Sequence, residues 1–194
     1  MLINGKTKIY GIIGNPVSHS LSPLMHNQAF AACQENRVYV PLHTEDLQAA
    51  LDGLRGMHID GVSVTIPFKE RVLGLLDEVD PVAVKIGAVN TVVVRREESR
   101  VKLFGSNTDW LGSNKALLDH IDLRHSRAVI LGAGGAARAI GFGLLEAGAG
   151  VEIKSRSESK GRRLAKELGC LWSPLNEKPK QAAAILINAT SVGM

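Results

Sequence analysis

Short apolar runs alternate with amphipathic segments along this chain, and that alternation constrains its fold more than any other property. Residues 9–14 read as a strand, 23–35 as a helix, 38–42 as a strand and 45–56 as a helix. A strand over 62–66 and a helix over 67–77 follow, with Pro67 suited to a first helical turn. Apolar runs at 88–94 and 101–104, joined by a charged Arg95-Arg96-Glu-Glu-Ser-Arg100 segment, predict a hairpin. The expected result is a largely parallel sheet with helical crossovers, closing a first domain over 1–106.

A second series occupies 107–194: helix 110–120, strand 128–131, helix 136–147, strand 151–154, helix 160–168 and a last apolar stretch at 183–187. It contains only the first half of a doubly wound nucleotide-binding arrangement plus one strand, so the chain reads as C-terminally incomplete. The predicted class is therefore α/β, a βαβ domain with a mainly parallel sheet followed by an incomplete Rossmann-type domain.

Bulk properties exclude several functions. No apolar run approaches the roughly 18–20 residues of a membrane span, and the N-terminus lacks the basic-then-apolar layout of a secretory signal. A cytoplasmic protein is the default. Cys33 and Cys170 stand alone, without metal-ligand spacing, and read as buried reduced thiols. The net charge is +4, but its basic residues are scattered among few aromatics, which argues against nucleic acid and is compatible with a phosphorylated cofactor.

The Gly132-Ala133-Gly134-Gly135-Ala136-Ala137 turn follows a strand-like run and opens a helix, placing backbone N–H groups and a helix N-terminus where a pyrophosphate would sit. About twenty residues on, an NAD site wants an acid at the end of the second strand. This chain has Lys154-Ser155-Arg156-Ser157 there, with Lys160 one turn later. Arg156 and Lys160 suit a 2′-phosphate and Ser155 and Ser157 offer further hydrogen bonds, so NADP is the predicted cofactor.

In the first domain, Ser20 and Ser22 lie in the loop after the first strand. They serve either as caps for the helix at Pro23 or as a carboxylate site. Lys69 falls just after a strand end, where a helix dipole disfavours a cation, and such a lysine suits proton transfer to a ketone. Asp109, in Asn107-Thr-Asp109, is either a cap or the partner that orients Lys69. Asn90 is either a turn amide or a ligand for a substrate hydroxyl. His26 sits at helical spacing and reads as packing rather than catalytic.

Taken together, these peptides resemble the shikimate dehydrogenase family. The matching segments are Gly14-Asn-Pro-Val-Ser-His-Ser-Leu-Ser-Pro-Leu-Met-His-Asn27, Ser63-Val-Thr-Ile-Pro-Phe-Lys-Glu70, Gly87-Ala-Val-Asn-Thr91, Asn107-Thr-Asp109, Gly132-Ala-Gly-Gly-Ala-Ala-Arg138 and Asn188-Ala-Thr-Ser-Val-Gly193. They occur in family order across nearly the whole chain. The resemblance implies NADPH-dependent reduction of 3-dehydroshikimate, with Lys69 and Asp109 catalytic. It implies Ser20 and Ser22 on the substrate carboxylate, Thr65, Asn90 and the catalytic pair on ring oxygens, and Thr190 and Ser191 near the cofactor. It also implies a small-molecule substrate and leaves a homodimer open. Ser63 and Ser155 stand where many members have Asn, and Trp110 follows Asp109 where Gly is frequent and so would narrow the groove. Members continue beyond Asn188-Ala-Thr-Ser191 for several elements. The alternatives within reach are a quinate/shikimate enzyme of broader substrate or NAD use and a non-catalytic ligand-binding relative.

Overall fold

The computed structural model describes residues 3–98 and 100–192, and these divide into two compact units, 1–107 and 108–194. In the first, β1 (Lys8–Gly14), α1 (Ser22–Ala32), β2 (Arg37–His43), α2 (Leu47–Gly56) and β3 (Ile59–Val64) form a βαβαβ series. β4 (Glu78–Val79), α3 (Pro81–Ile86), β5 (Thr91–Glu97) and β6 (Arg100–Ser106) complete it. The sheet order is β2-β1-β3-β5-β6-β4. β1, β2 and β3 run parallel, and β5 is antiparallel to both β3 and β6.

Local chemistry explains the helices. In α2, Leu47, Leu51 and Leu54 share one face and are each at most 2 % exposed, a burial that contributes about 1.5–3 kcal/mol per side chain. Asp46 caps that helix by accepting from the Ala49 N–H at 3.0 Å. Asp80 does the same for α3, and Gly87, with φ 74°, stops it.

The helix predicted over 67–77 is not formed. The carbonyl of Ile66 accepts from the Asn15 N–H and that of Lys69 from the Val89 N–H, so neither is available to the i+4 amide, and only a 3-10 turn over Val72–Leu75 remains. Lys69 therefore lies in a turn rather than a helix. α3 and β4 take up part of the sequence beyond it. Cys33 also departs from expectation: it caps the C-terminus of α1, a helix with no fully buried residue, and is exposed.

In the second unit, α4 (Asp109–Leu118) precedes β7 (Arg127–Leu131), α5 (Gly135–Glu146), β8 (Gly150–Ser155), α6 (Glu158–Leu168), β9 (Leu171–Pro174) and β10 (Ile185–Asn188). All four strands are parallel, in the order β10-β7-β8-β9. The predicted α/β class with mainly parallel sheets is thus the observed one. β9, a four-residue strand ending in Pro174, was not anticipated. Ala128, Ile130, Val151 and Ile153 pack with Ala137, Leu144 and Leu164 into one core. Trp110 sits edge-on to Phe142 of α5, with ring centroids 5.6 Å apart. Among the described residues no helix is long and apolar enough to cross a membrane.

Candidate functional site

Ligands of open α/β sheets bind outside strand carboxyl ends, where successive crossovers leave in opposite directions. In the first unit that point lies between β1 and β3, since the crossover from β1 leads to β2 on one side and β3 returns on the other. The loop after β1 carries Ser20 and leads into α1 at Ser22. The turn after β3 carries Thr65 and Lys69.

Gly14 lets these two loops meet, because a Cβ there would lie 2.3 Å from Thr65 Cγ2 and 2.9 Å from the Ile66 carbonyl. Thr65 N–H donates to the Ile13 carbonyl at 2.9 Å. Asn90 completes the edge from the start of β5: its carbonyl accepts from Val64 N–H at 2.7 Å and its N–H donates to Ser106 at 3.1 Å. Ser20, Ser22, Thr65, Lys69 and Asn90 are all partly buried. They belong to one edge of one sheet.

Ser22 is not the cap of α1. The helix begins at Ser22 itself, and the Ser20 hydroxyl accepts from the Ser22 N–H at 3.3 Å. The Ser22 and Thr65 hydroxyls have no partner among the described residues. Asp109 opens α4 in the second unit, behind Thr108 as the N-cap. The peptide leading to it leaves the first unit through Asn107, whose buried amide donates to Ala88 at 2.9 Å.

Tyr39 escaped the sequence reading. It is 5 % exposed, its hydroxyl has no hydrogen-bond partner among the described residues, and its ring stacks on His26 at 4.3 Å between centroids. Burial pushes its pKa up, while neighbouring Ser63 pulls the other way. The Asn27 amide clamps it from α1, accepting from Tyr39 N–H at 2.9 Å and donating to Tyr39 C=O at 2.8 Å. The only local signal was an aromatic with a polar tip in an alternating strand, which reads equally as core.

The second unit repeats the logic. Its switch point lies between β7 and β10, so the Gly132-Ala133-Gly134 turn and the Asn188-to-Ser191 loop emerge side by side. Gly132 has φ +123°, and a Cβ there would come 2.7 Å from the Ala189 carbonyl. A Cβ on Gly134 would meet nothing within 4 Å, and α5 begins there with no side-chain cap. Clear space thus lies beside Gly134 at the uncapped N-terminus of α5, a place that fits a pyrophosphate. Thr190 N–H and hydroxyl both donate to Asn188 Oδ1, at 3.1 and 2.6 Å, which shapes the facing loop and leaves Ser191 exposed.

At the end of β8, Arg156 and Lys160 are exposed, and neither side chain forms an ion pair or hydrogen bond among the described residues. Lys160 in the first turn of α6, and Arg156 just before its Ser157 cap, set two cations at the helix N-terminus beside Glu158, a placement that an anion would relieve. Ser157 caps α6 at Lys160 N–H, 3.5 Å away. Ser155 does not offer the phosphate contact expected of it. Its buried hydroxyl donates to the Ser157 carbonyl at 2.8 Å and accepts from Trp172 Nε1 at 3.0 Å.

These features define a two-unit α/β protein with a polar pocket edge on one sheet and a Rossmann-type dinucleotide half in the other. The sequence profile of the shikimate dehydrogenase substrate binding domain matches residues 12–92. The NADP(+) shikimate dehydrogenase of Pyrococcus furiosus is 45% identical over 196 residues, covering 100% of this chain and 70% of that protein. The crystal structure of the Aquifex aeolicus shikimate dehydrogenase superposes with a TM-score of 0.89 at 37% identity, over 99% of this chain and 72% of that one. The Thermus thermophilus enzyme, solved with NADP(H) and shikimate, gives 0.82 at 40% identity, over 95% and 69%. The chain belongs to the shikimate dehydrogenase family and spans about 70% of the length of that Pyrococcus relative.

Proposed function

We propose that this chain performs the reaction of its family, the reversible NADPH-dependent reduction of 3-dehydroshikimate to shikimate, a CH–OH oxidoreduction of chorismate and aromatic amino acid biosynthesis. The observation that carries this reading is the gathering of Ser22, Thr65, Lys69 and Asn90 at one switch point. Such an edge suits a polyhydroxylated acid, because every oxygen taken out of water needs a partner. Ser20 and Ser22 receive the carboxylate, and Thr65, Lys69, Asn90 and Asp109 receive the ring oxygens.

Lys69 donates a proton to the ketone oxygen as the carbonyl carbon becomes CH–OH, and Asp109 orients the ammonium and takes part in its reprotonation. NADPH, when bound, supplies the hydride. The Gly132-to-Ala137 turn holds its pyrophosphate, Arg156, Ser157 and Lys160 read its 2′-phosphate, and Thr190 and Ser191 border it from the facing loop. We place the protein in the cytoplasm. The exposed apolar side chains Leu21, Leu24 and Met25 support a homodimer.

The test is shikimate-dependent reduction of NADP followed by cofactor absorbance, with quinate and NAD in parallel. Lys69→Ala is expected to abolish turnover while NADP affinity changes less than about twofold. Retained turnover would remove Lys69 from catalysis. Binding of both ligands without turnover in the parent chain would favour a non-catalytic relative.

A further inference from the structure

Beyond the groups already assigned, the second unit holds a buried charged chain. Glu152, Lys154 and Ser173 are 5, 3 and 1 % exposed. Lys154 Nζ donates to Ser173 Oγ at 2.8 Å, and Ser173 Oγ donates to Glu152 Oε1 at 2.5 Å. The second carboxylate oxygen of Glu152 accepts from Lys180 N–H at 2.9 Å, which ties down the segment leading from β9 to β10. Glu152 and Lys154 alternate with the core residues Val151 and Ile153 along β8, so both project from the opposite sheet face.

Opposite charges this deep, here joined through the Ser173 hydroxyl, offset their desolvation only with good partners and are weak evidence of a purely stabilising role. The direction of this one suggests its use. Two residues at about 3.3 Å each separate the charges along β8, with Glu152 toward the middle of the sheet and Lys154 toward the carboxyl edge. The Lys154 carbonyl accepts from Gly132 N–H at 2.8 Å, and Ser155 and Arg156 follow directly. Lys154 is thus the residue at which the Gly-rich turn and the phosphate-reading loop meet.

We propose that Lys154 is a buried specificity determinant of the cofactor site, the positive end of an oriented Glu152–Ser173–Lys154 charge pair that favours the phosphorylated dinucleotide. The proposal rests on the NADP reading above. The low dielectric around the pair lets its field reach the sheet edge with little screening. The bridging hydroxyl and the Lys180 amide keep the pair from collapsing into direct contact. Lys154 acts without touching the cofactor, as a positioning residue for charge.

The test measures NADP and NAD affinity by isothermal titration calorimetry, with the ratio of the two isolating the 2′-phosphate. Glu152→Gln is nearly isosteric and retains an acceptor for Lys180 N–H. It is expected to raise the NADP preference about threefold by removing the negative end. Glu152→Gln/Lys154→Met, which leaves no buried charge, is expected to lower it about threefold to tenfold below the parent. Equal changes in both affinities, or an unchanged ratio, would reduce the chain to a structural staple and overturn the proposal. If the double variant does not fold, the sign of the Glu152→Gln effect decides. Arg156→Ala is the control: if it collapses the preference while the Glu152 and Lys154 variants do not move it, this inference alone fails. A parent chain with no NADP preference overturns the cofactor reading and this inference with it.

Discussion

Replacing Tyr39 with Phe removes one oxygen and leaves everything else in place, which makes the two consequences separable. The ring keeps its stack on His26 at 4.3 Å and its place beside Ile12 and Val17. The lost hydroxyl lies near Ser63 but is buried without a hydrogen-bond partner among the described residues, and a polar group held that way costs about 1–3 kcal/mol. The variant is therefore expected to be more stable, by up to that amount, in urea unfolding at neutral pH. Shikimate affinity is the second readout. The hydroxyl has no exposed surface to offer a ligand, so the dissociation constant measured by calorimetry is expected to change less than about twofold, under about 0.4 kcal/mol.

The alkaline limb supplies a third readout. Burial raises the pKa of Tyr39 above its ordinary value of 10.0. Its stability contribution is thus intact below the unfolded pKa and is lost as pH rises through the folded one. Tyr39→Phe is expected to flatten that loss. Lower stability at neutral pH would mean that the hydroxyl has an internal partner outweighing its burial, and a large loss of shikimate affinity would mean that it reaches the ligand. Either result refutes the reasoning.

Gly132→Ala forces a Cβ onto a backbone at φ +123° and to within 2.7 Å of the Ala189 carbonyl, and is expected to cost about 2–4 kcal/mol in urea unfolding; a loss under about 0.5 kcal/mol would show that the facing loop gives way freely. Asp77 accepts from Leu103 N–H at 2.6 Å and from Arg55 at 2.9 Å. The Leu103 amide first, and then Arg55, lower its pKa from 3.8. That contribution is present above the unfolded pKa and lost as pH falls through the folded one. Asp77→Asn is expected to lose about 1 kcal/mol at pH 7 after solvent screening, and less at pH 2–3. An equal loss at both pH values, measured by thermal unfolding, would deny the carboxylate that role.

Much of the fold was legible because its signals are local. Periodicity marked β1, α2, β7, α5 and α6, and caps such as Asp46 and Ser157 lie within three residues of the amides they satisfy. α3 was not anticipated: Asp80-Pro81 and Gly87 bracket it, but six residues are too few for a periodic pattern. The helix expected after Pro67 failed for the opposite reason. Its carbonyls answer to Asn15 and Val89, distant residues that no window around Pro67 contains.

The candidate site divides the same way. The residue types in the Ser63-to-Lys69 and Gly132-to-Ala137 peptides, and the missing acid beside Arg156, are properties of the chain, readable before any contact is known. Strand order is not, because a strand carries no local record of its neighbour, and order alone puts Ser22, Thr65 and Asn90 on one edge. Burial likewise belongs to the packed state. Tyr39, Glu152 and Lys154 look like an ordinary aromatic and two surface charges until α1 and the segment before β10 exclude water from them. Sequence settled which chemistry each peptide can offer, and only the tertiary structure decided which groups lose their solvent and must answer to one another.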